Sequence, residues 1–135
     1  MSTSLEIVSP EKLLLSRQVE MVVIPAAEGE LGVLEGHAPM IVLLRGGTIR
    51  LYEGGKVTDR LFVAGGFAEI TPDRCTVLAN EAIVVAEVSK SAAADRLAKA
   101  EEAWREADKM NMEAVDAALD ALQSARAMTE AAEAA

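Results

Sequence analysis

Up to about residue 88, the pattern of hydrophobic and polar positions reads as short strand-like runs that turn residues cut off. Val19-Glu20-Met21-Val22-Val23-Ile24 is rich in β-branched residues and ends at Pro25, which reads as a strand. Thr48-Ile49-Arg50-Leu51-Tyr52 alternates, with Ile49 and Leu51 on one face and Arg50 on the other. Glu53-Gly54-Gly55-Lys56 supplies a turn, so Arg60-Leu61-Phe62-Val63 returns as the partner strand. Thr71-Pro72-Asp73-Arg74 makes another turn, joining Phe67-Ala68-Glu69-Ile70 to Cys75-Thr76-Val77-Leu78, and Ala82-Ile83-Val84-Val85 follows. About ten strands this short predict an antiparallel β-sandwich or flattened barrel rather than βαβ units.

From about residue 90 the period changes, and the remaining chain is dense in Ala with neither Gly nor Pro. Ser89 or Ser91 can cap a helix, and Asp95 is read as an acid favoured by the helix dipole. Ala93, Leu97, Ala100, Trp104 and Ala107 recur at helical spacing. Lys109-Met110-Asn111 breaks the pattern, and Asn111 can cap a second helix with the stripe Val115, Ala118, Leu119, Leu122 and Ala125. So short a break predicts an antiparallel helical hairpin whose small faces depend on the sandwich or a partner. The Ala/Glu tail is expected to fray. The reading is therefore α+β, with a β-sandwich domain over 1–88 and a C-terminal hairpin over 89–135.

Charge and cysteine content narrow the function classes. The net charge of −9 lacks the basic footprint that nucleic-acid binding requires. Cys75 is the only cysteine, which rules out an intrachain disulfide and a thiolate metal cluster and suggests a reducing compartment. The opening Met1-Ser2-Thr3-Ser4-Leu5-Glu6 has no signal-like basic start, and no run reaches the ~18 apolar residues of a membrane span. A soluble chain is expected, one that can still dock on a membrane complex.

Candidate chemistry is sparse. His37, the single histidine, could act as a base or ligand, but a metal site needs further ligands and a triad needs a nucleophile and an orienting carboxylate. A structural or interface role is preferred. Gly29-Glu30-Leu31-Gly32-Val33-Leu34-Glu35-Gly36 lacks the Gly-Lys-Ser/Thr ending of a P-loop, so its glycines read as serving a tight turn and close backbone approach. Gly46-Gly47 reads the same way. Cys75 reads as a small inert side chain, and Met40, Ile41, Leu43 and Leu44 read as core unless an exposed subset forms a docking patch. No catalytic, cofactor or metal site is assigned. Two other readings stay open on the residues alone: a small-ligand-binding sandwich with the hairpin as a lid, and a hydrolase using His37.

One family shares these blocks. Val23-Ile24-Pro25-Ala26-Ala27-Glu28-Gly29-Glu30-Leu31-Gly32-Val33-Leu34-Glu35-Gly36-His37-Ala38-Pro39-Met40 closely resembles the signature of the epsilon subunits of F-type ATP synthases. Val63-Ala64-Gly65-Gly66-Phe67-Ala68-Glu69-Ile70-Thr71-Pro72-Asp73-Arg74-Cys75-Thr76-Val77-Leu78-Ala79 is similar to that family's Gly-Gly strand and the following turn. The resemblance implies a non-catalytic rotor component that binds the gamma subunit, rests on the ring of c subunits and passes torque between them. It places Glu30 in a loop facing the c ring and His37 near gamma. Leu14, Leu15, Ala38, Ile41 and Phe67 match its gamma-facing patch. The start of the chain favours a bacterial member, at the cytoplasmic face of the inner membrane, over its mitochondrial counterpart, named delta there.

The resemblance also marks two departures. The family's nucleotide motif falls on Val88-Ser89-Lys90-Ser91-Ala92-Ala93, where Ser89 replaces an Asp and Ala92 an Arg. Without that guanidinium fork no functional ATP site is expected at this segment. Strongly inhibitory relatives carry basic last helices, whereas here Arg126 stands alone against Glu113, Asp116, Asp120, Glu130 and Glu133. Weak or absent inhibition by the tail is expected.

Overall fold

Turn chemistry sets the strand ends, and alternation decides which face each strand buries. The computed structural model describes residues 2–134; Met1 of the opening and Ala135 of the tail lie outside the described residues. The strands are β1 (Thr3–Val8), β2 (Leu13–Val19), β3 (Met21–Ala26), β4 (Gly29–Leu34), β5 (Met40–Leu44), β6 (Gly47–Glu53), β7 (Lys56–Val63), β8 (Gly66–Ile70), β9 (Arg74–Ala79) and β10 (Ala82–Val84). A 3₁₀ turn at Val85–Glu87 leads into α1 (Lys90–Glu106) and α2 (Met112–Ala134).

One sheet runs in the order β10-β7-β6-β3-β5-β8-β9-β1-β2, with β4 paired to β3 off that path. Strand β3 is the crossing point: Met21, Val22 and Val23 pair with β6, while Ala26 pairs with Leu44 of β5. The sheet therefore folds over itself, and side chains from both halves close one core. Leu5, Ile7, Val22, Ile24, Ile49, Leu51, Ile70 and Val77 are all fully buried there. Pairing is antiparallel except between β1 and β9, which run parallel from Ser4↔Arg74 to Val8↔Leu78.

Helix α2 lies against the outside of β6 and β7, and α1 packs mainly against α2. Phe62 points away from the main core and is buried among Val85, Val88, Ala93, Met128, Ala131 and Ala132. Ala100, Leu122 and Ala125 pack between the helices, where small side chains allow close approach. Ser89 caps α1 by accepting from the Ala92 amide at 3.2 Å, and Asn111 caps α2 by accepting from Ala114 at 3.2 Å.

Several expectations are corrected. Pro25 does not end its strand; β3 continues to Ala26, and the Pro25 carbonyl accepts from the Arg45 amide at 3.0 Å. Most of the acidic glycine stretch is the strand β4, hairpinned onto β3 through Ala27 and Glu28, and only Glu35-Gly36 of it forms a turn. Asp95 lies beyond the first turn of α1, which holds no acid. Leu119 is 45% exposed rather than part of the helix seam. The tail does not fray within the described residues, because Ala131 and Ala132 are buried against Phe62. Met40, Ile41 and Leu43 are exposed, and only Leu44 of that run is buried.

Candidate binding faces

Cross-strand register lines up an apolar row on the outer face of one half of the sheet. Leu43 of β5 stands opposite Phe67 of β8, Phe67 opposite Leu78 of β9, Leu78 opposite Val8 of β1, and Val8 opposite Leu13 of β2. Cross-strand partners share a face, so these side chains form one ridge over five strands. Leu43 is 69% exposed, Leu13 56%, Phe67 41% and Leu78 37%. The neighbouring row is Ile41, Glu69, Thr76, Glu6 and Ser16, so a polar margin borders the ridge beyond the exposed Ile41. Arg74 pairs with Glu69 at 3.5 Å along that margin.

The residues singled out by resemblance fall in different places. Ile41 and Phe67 lie on this face. Leu15 pairs with fully buried Ile7 and turns with it toward the core. Leu14 sits where the β1–β2 register shifts between Ile7 and Val8, and it too packs against the core. The exposed leucine of β2 is therefore Leu13. Leu13 and Leu78 carry no such signal in the sequence, and Leu43, expected in the core unless it belonged to an exposed docking subset, is exposed. A register map was the missing signal, because apolar runs do not say which face is covered.

His37 is half-buried in the connection between β4 and β5, beside exposed Ala38. Its Nδ1 lies 2.8 Å from the Ala38 carbonyl oxygen, and the preceding Gly36 amide donates to the Pro72 carbonyl at 2.6 Å. The Gly36 bond fixes the connection against the β8–β9 turn, and the His37 contact stays within the connection. Among the described residues they bring no hydroxyl or carboxylate to the ring, so the hydrolase reading finds no nucleophile–base pair there. The described residues also hold no cluster of three His, Cys, Asp or Glu side chains suited to a metal. Cys75 is fully buried in β9, and burial pushes its thiol up to about 11, far from a reactive thiolate.

Glu30 is the second residue of β4, opposite Pro25 and close to the β3–β4 hairpin tip. Its carboxylate pairs with Arg50 Nη2 at 2.8 Å. The helices cover the other outer surface. Gln123 grips the backbone of Gly46 at two points, accepting from its amide at 2.9 Å and donating to its carbonyl at 2.6 Å. Gly46 is obligatory here by space alone, since an added Cβ would lie 2.5 Å from Ser124 Cα. Arg96 of α1 pairs with Glu81 at 2.5 Å, tying the first helix to the β9–β10 turn. No helix in the described residues is long and apolar enough to cross a membrane.

Comparison with known proteins agrees with this architecture. Residues 2–85 match the family described as ATP synthase, Delta/Epsilon chain, beta-sandwich domain. The ATP synthase epsilon chain of Granulibacter bethesdensis is 72% identical over 130 residues, covering 96% of each chain. That of Gluconacetobacter diazotrophicus is 50% identical, covering 98% of this chain and 94% of its own. A chain in the cryo-EM structure of Euglena gracilis mitochondrial ATP synthase, OSCP/F1/c-ring in rotational state 1, superposes with a TM-score of 0.78 at 26% identity, covering 96% of this chain and 81% of that one. A chain in the Tetrahymena thermophila mitochondrial ATP synthase central stalk/c-ring structure shares the fold at 16% identity, with a TM-score of 0.72 and 98% and 97% of the two chains covered.

Proposed function

The chain belongs to the ATP synthase delta/epsilon family, and on that premise we propose that it is a non-catalytic central-stalk subunit gripping gamma through the apolar ridge. The single observation that carries this reading is the continuous row from Leu43 to Leu13. Apolar residues that align across five strands, exposed at all but the half-buried Val8 and bordered by a charged margin, have the anatomy of an interface core with a polar rim. Of the residues singled out by resemblance, Ile41 and Phe67 belong to that contact, while His37 and Ala38 flank it. Leu14 and Leu15 support it from the core side.

The second contact is with the c ring. Glu30 near the β3–β4 tip presents an acid to the ring's polar loops, and its pairing with Arg50 holds the carboxylate on one side of the hairpin. Torque then passes through broad complementary surface: the ring turns, the sandwich follows, and gamma follows the sandwich. The protein sits peripherally at the cytoplasmic face of the inner membrane in this reading. The sandwich over 1–88 makes both contacts, and the hairpin over 89–135 is a separate appendage.

The small-ligand alternative is not supported. The space between the two halves of the sheet is filled by the main core rather than by a pocket among the strands. The test is co-purification with the partner gamma subunit. Phe67→Glu places a charge in the middle of the ridge and is expected to weaken the complex by about 2 kcal/mol or more. A stoichiometric complex that survives both Phe67→Glu and Leu43→Glu would sink the proposed surface, and failure of the wild-type chain to bind gamma would sink the reading itself.

A further inference from the structure

A groove of about 790 Å³ lies between α2 and the outer surface of β6 and β7, and arginines from four separate places in the chain line it. Arg50 and Arg60 stand directly opposite each other across the β6–β7 pair. Two like charges in that position destabilise a sheet unless something neutralises them. Arg45 comes from the β5–β6 connection, and Arg126 projects from α2. Of these four arginines, only Arg50 has a carboxylate of the described residues within ion-pair distance, and its Nε is buried without a hydrogen-bond partner. Glu30, Asp120 and Glu130 also line the groove, so four guanidiniums face three carboxylates. The local balance is positive on a chain whose net charge is −9.

We infer that this groove is an anion site for a compact oxyanion carrying several phosphate groups. Guanidinium forks match phosphate oxygens two at a time, and forks approaching from both sheet and helix favour a ligand with more than one anionic centre. The backbone of Gly46 and Gly47 lines the same opening. No aromatic side chain lines it, so a nucleoside base has no ring on which to stack. The groove also takes nothing from residues 88–93, the segment where a nucleotide motif would fall. It is a different place with a different demand. A ligand held there bridges Arg126 on the hairpin to Arg45, Arg50 and Arg60 on the sheet side, so binding adds to the stability of the docked hairpin.

Calorimetry of the full chain at low ionic strength, with inorganic tripolyphosphate as the probe, tests this. One-site binding is expected, weakened about tenfold or more by Arg60→Gln and by Arg126→Gln, but not by Arg105→Gln on the exposed part of α1. Amide resonances of Gly46 and Gly47 should shift during the same titration, a readout that also reports whether each variant is folded. The inference is overturned by absence of saturable binding at millimolar probe, or by an equal loss in Arg105→Gln. It is overturned too by stationary Gly46 and Gly47 resonances, or by ATP binding more than about tenfold tighter than tripolyphosphate, which would demand nucleoside recognition.

Discussion

Thr3 is fully buried opposite Val19, and its hydroxyl finds no hydrogen-bond partner among the described residues. A buried hydroxyl left unpaired costs stability, whereas a methyl group of the same shape does not. Thr3→Val should therefore raise the unfolding free energy by about 1 kcal/mol, read from urea denaturation. A loss of stability would reveal a bond the hydroxyl does make. Cys75 gives a second residue-level outcome. Its burial and raised thiol predict no reaction with a thiol-specific chromogenic reagent at pH 8, and full reaction in guanidinium. Labelling of the native protein within minutes would contradict the closed core around β9.

The helical hairpin is held by few but specific contacts with the sheet. Gln123→Ala leaves both polar groups of Gly46 unpaired and is expected to cost about 1–3 kcal/mol. Gly46→Ala acts on the same junction through bulk, because its methyl would meet Ser124. In both variants, amide protons of α2 should exchange much faster while those of β1 and β9 keep their protection. Uniform loss of protection would mean that hairpin and sandwich unfold as one unit. These elements were only partly legible in the sequence. Ser89 and Asn111 marked both helix starts because capping is local chemistry. The burial of Met128, Ala131 and Ala132 was not legible, since it depends on Phe62, distant in sequence, pointing outward from β7. The same limit explains Leu43: its run of apolar neighbours shows no polar face, and only pairing with Phe67 reveals its side of the sheet.

The folded-over sheet is fastened across its open side by Arg17 of β2, which reaches Asp59 of β7 at 2.5 Å and Thr58 at 3.3 Å. The bond from Arg17 holds the Asp59 carboxyl below its ordinary 3.8, against a smaller opposing push from burial. A depressed carboxylate contributes stability that is present above its unfolded value and lost as pH falls through its folded one. Asp59→Asn should therefore lower the melting temperature modestly at pH 7, and the gap to wild type should close below about pH 4. Both partners are well exposed, so solvent keeps the effect small. A gap that persists unchanged at pH 2 would assign the effect to something other than this ion pair. Architecture at this level was the most legible part: short strands, then a change of period, then paired helices. What sequence could not supply was the fold-over at β3, because one strand pairing with β6 at one end and β5 at the other leaves no local signature.

The parallel partnership of the first strand with residues 74–78 imposes an order of events on synthesis. When Thr3–Val8 leaves the ribosome, its only available neighbour is β2; the other edge must wait until the ninth strand has been made. Contacts so far apart in sequence close slowly and leave a bare strand edge in the meantime. The nascent chain is thus most open to mispairing just before Arg74–Ala79 emerges, and the helices arrive only after that edge is sealed.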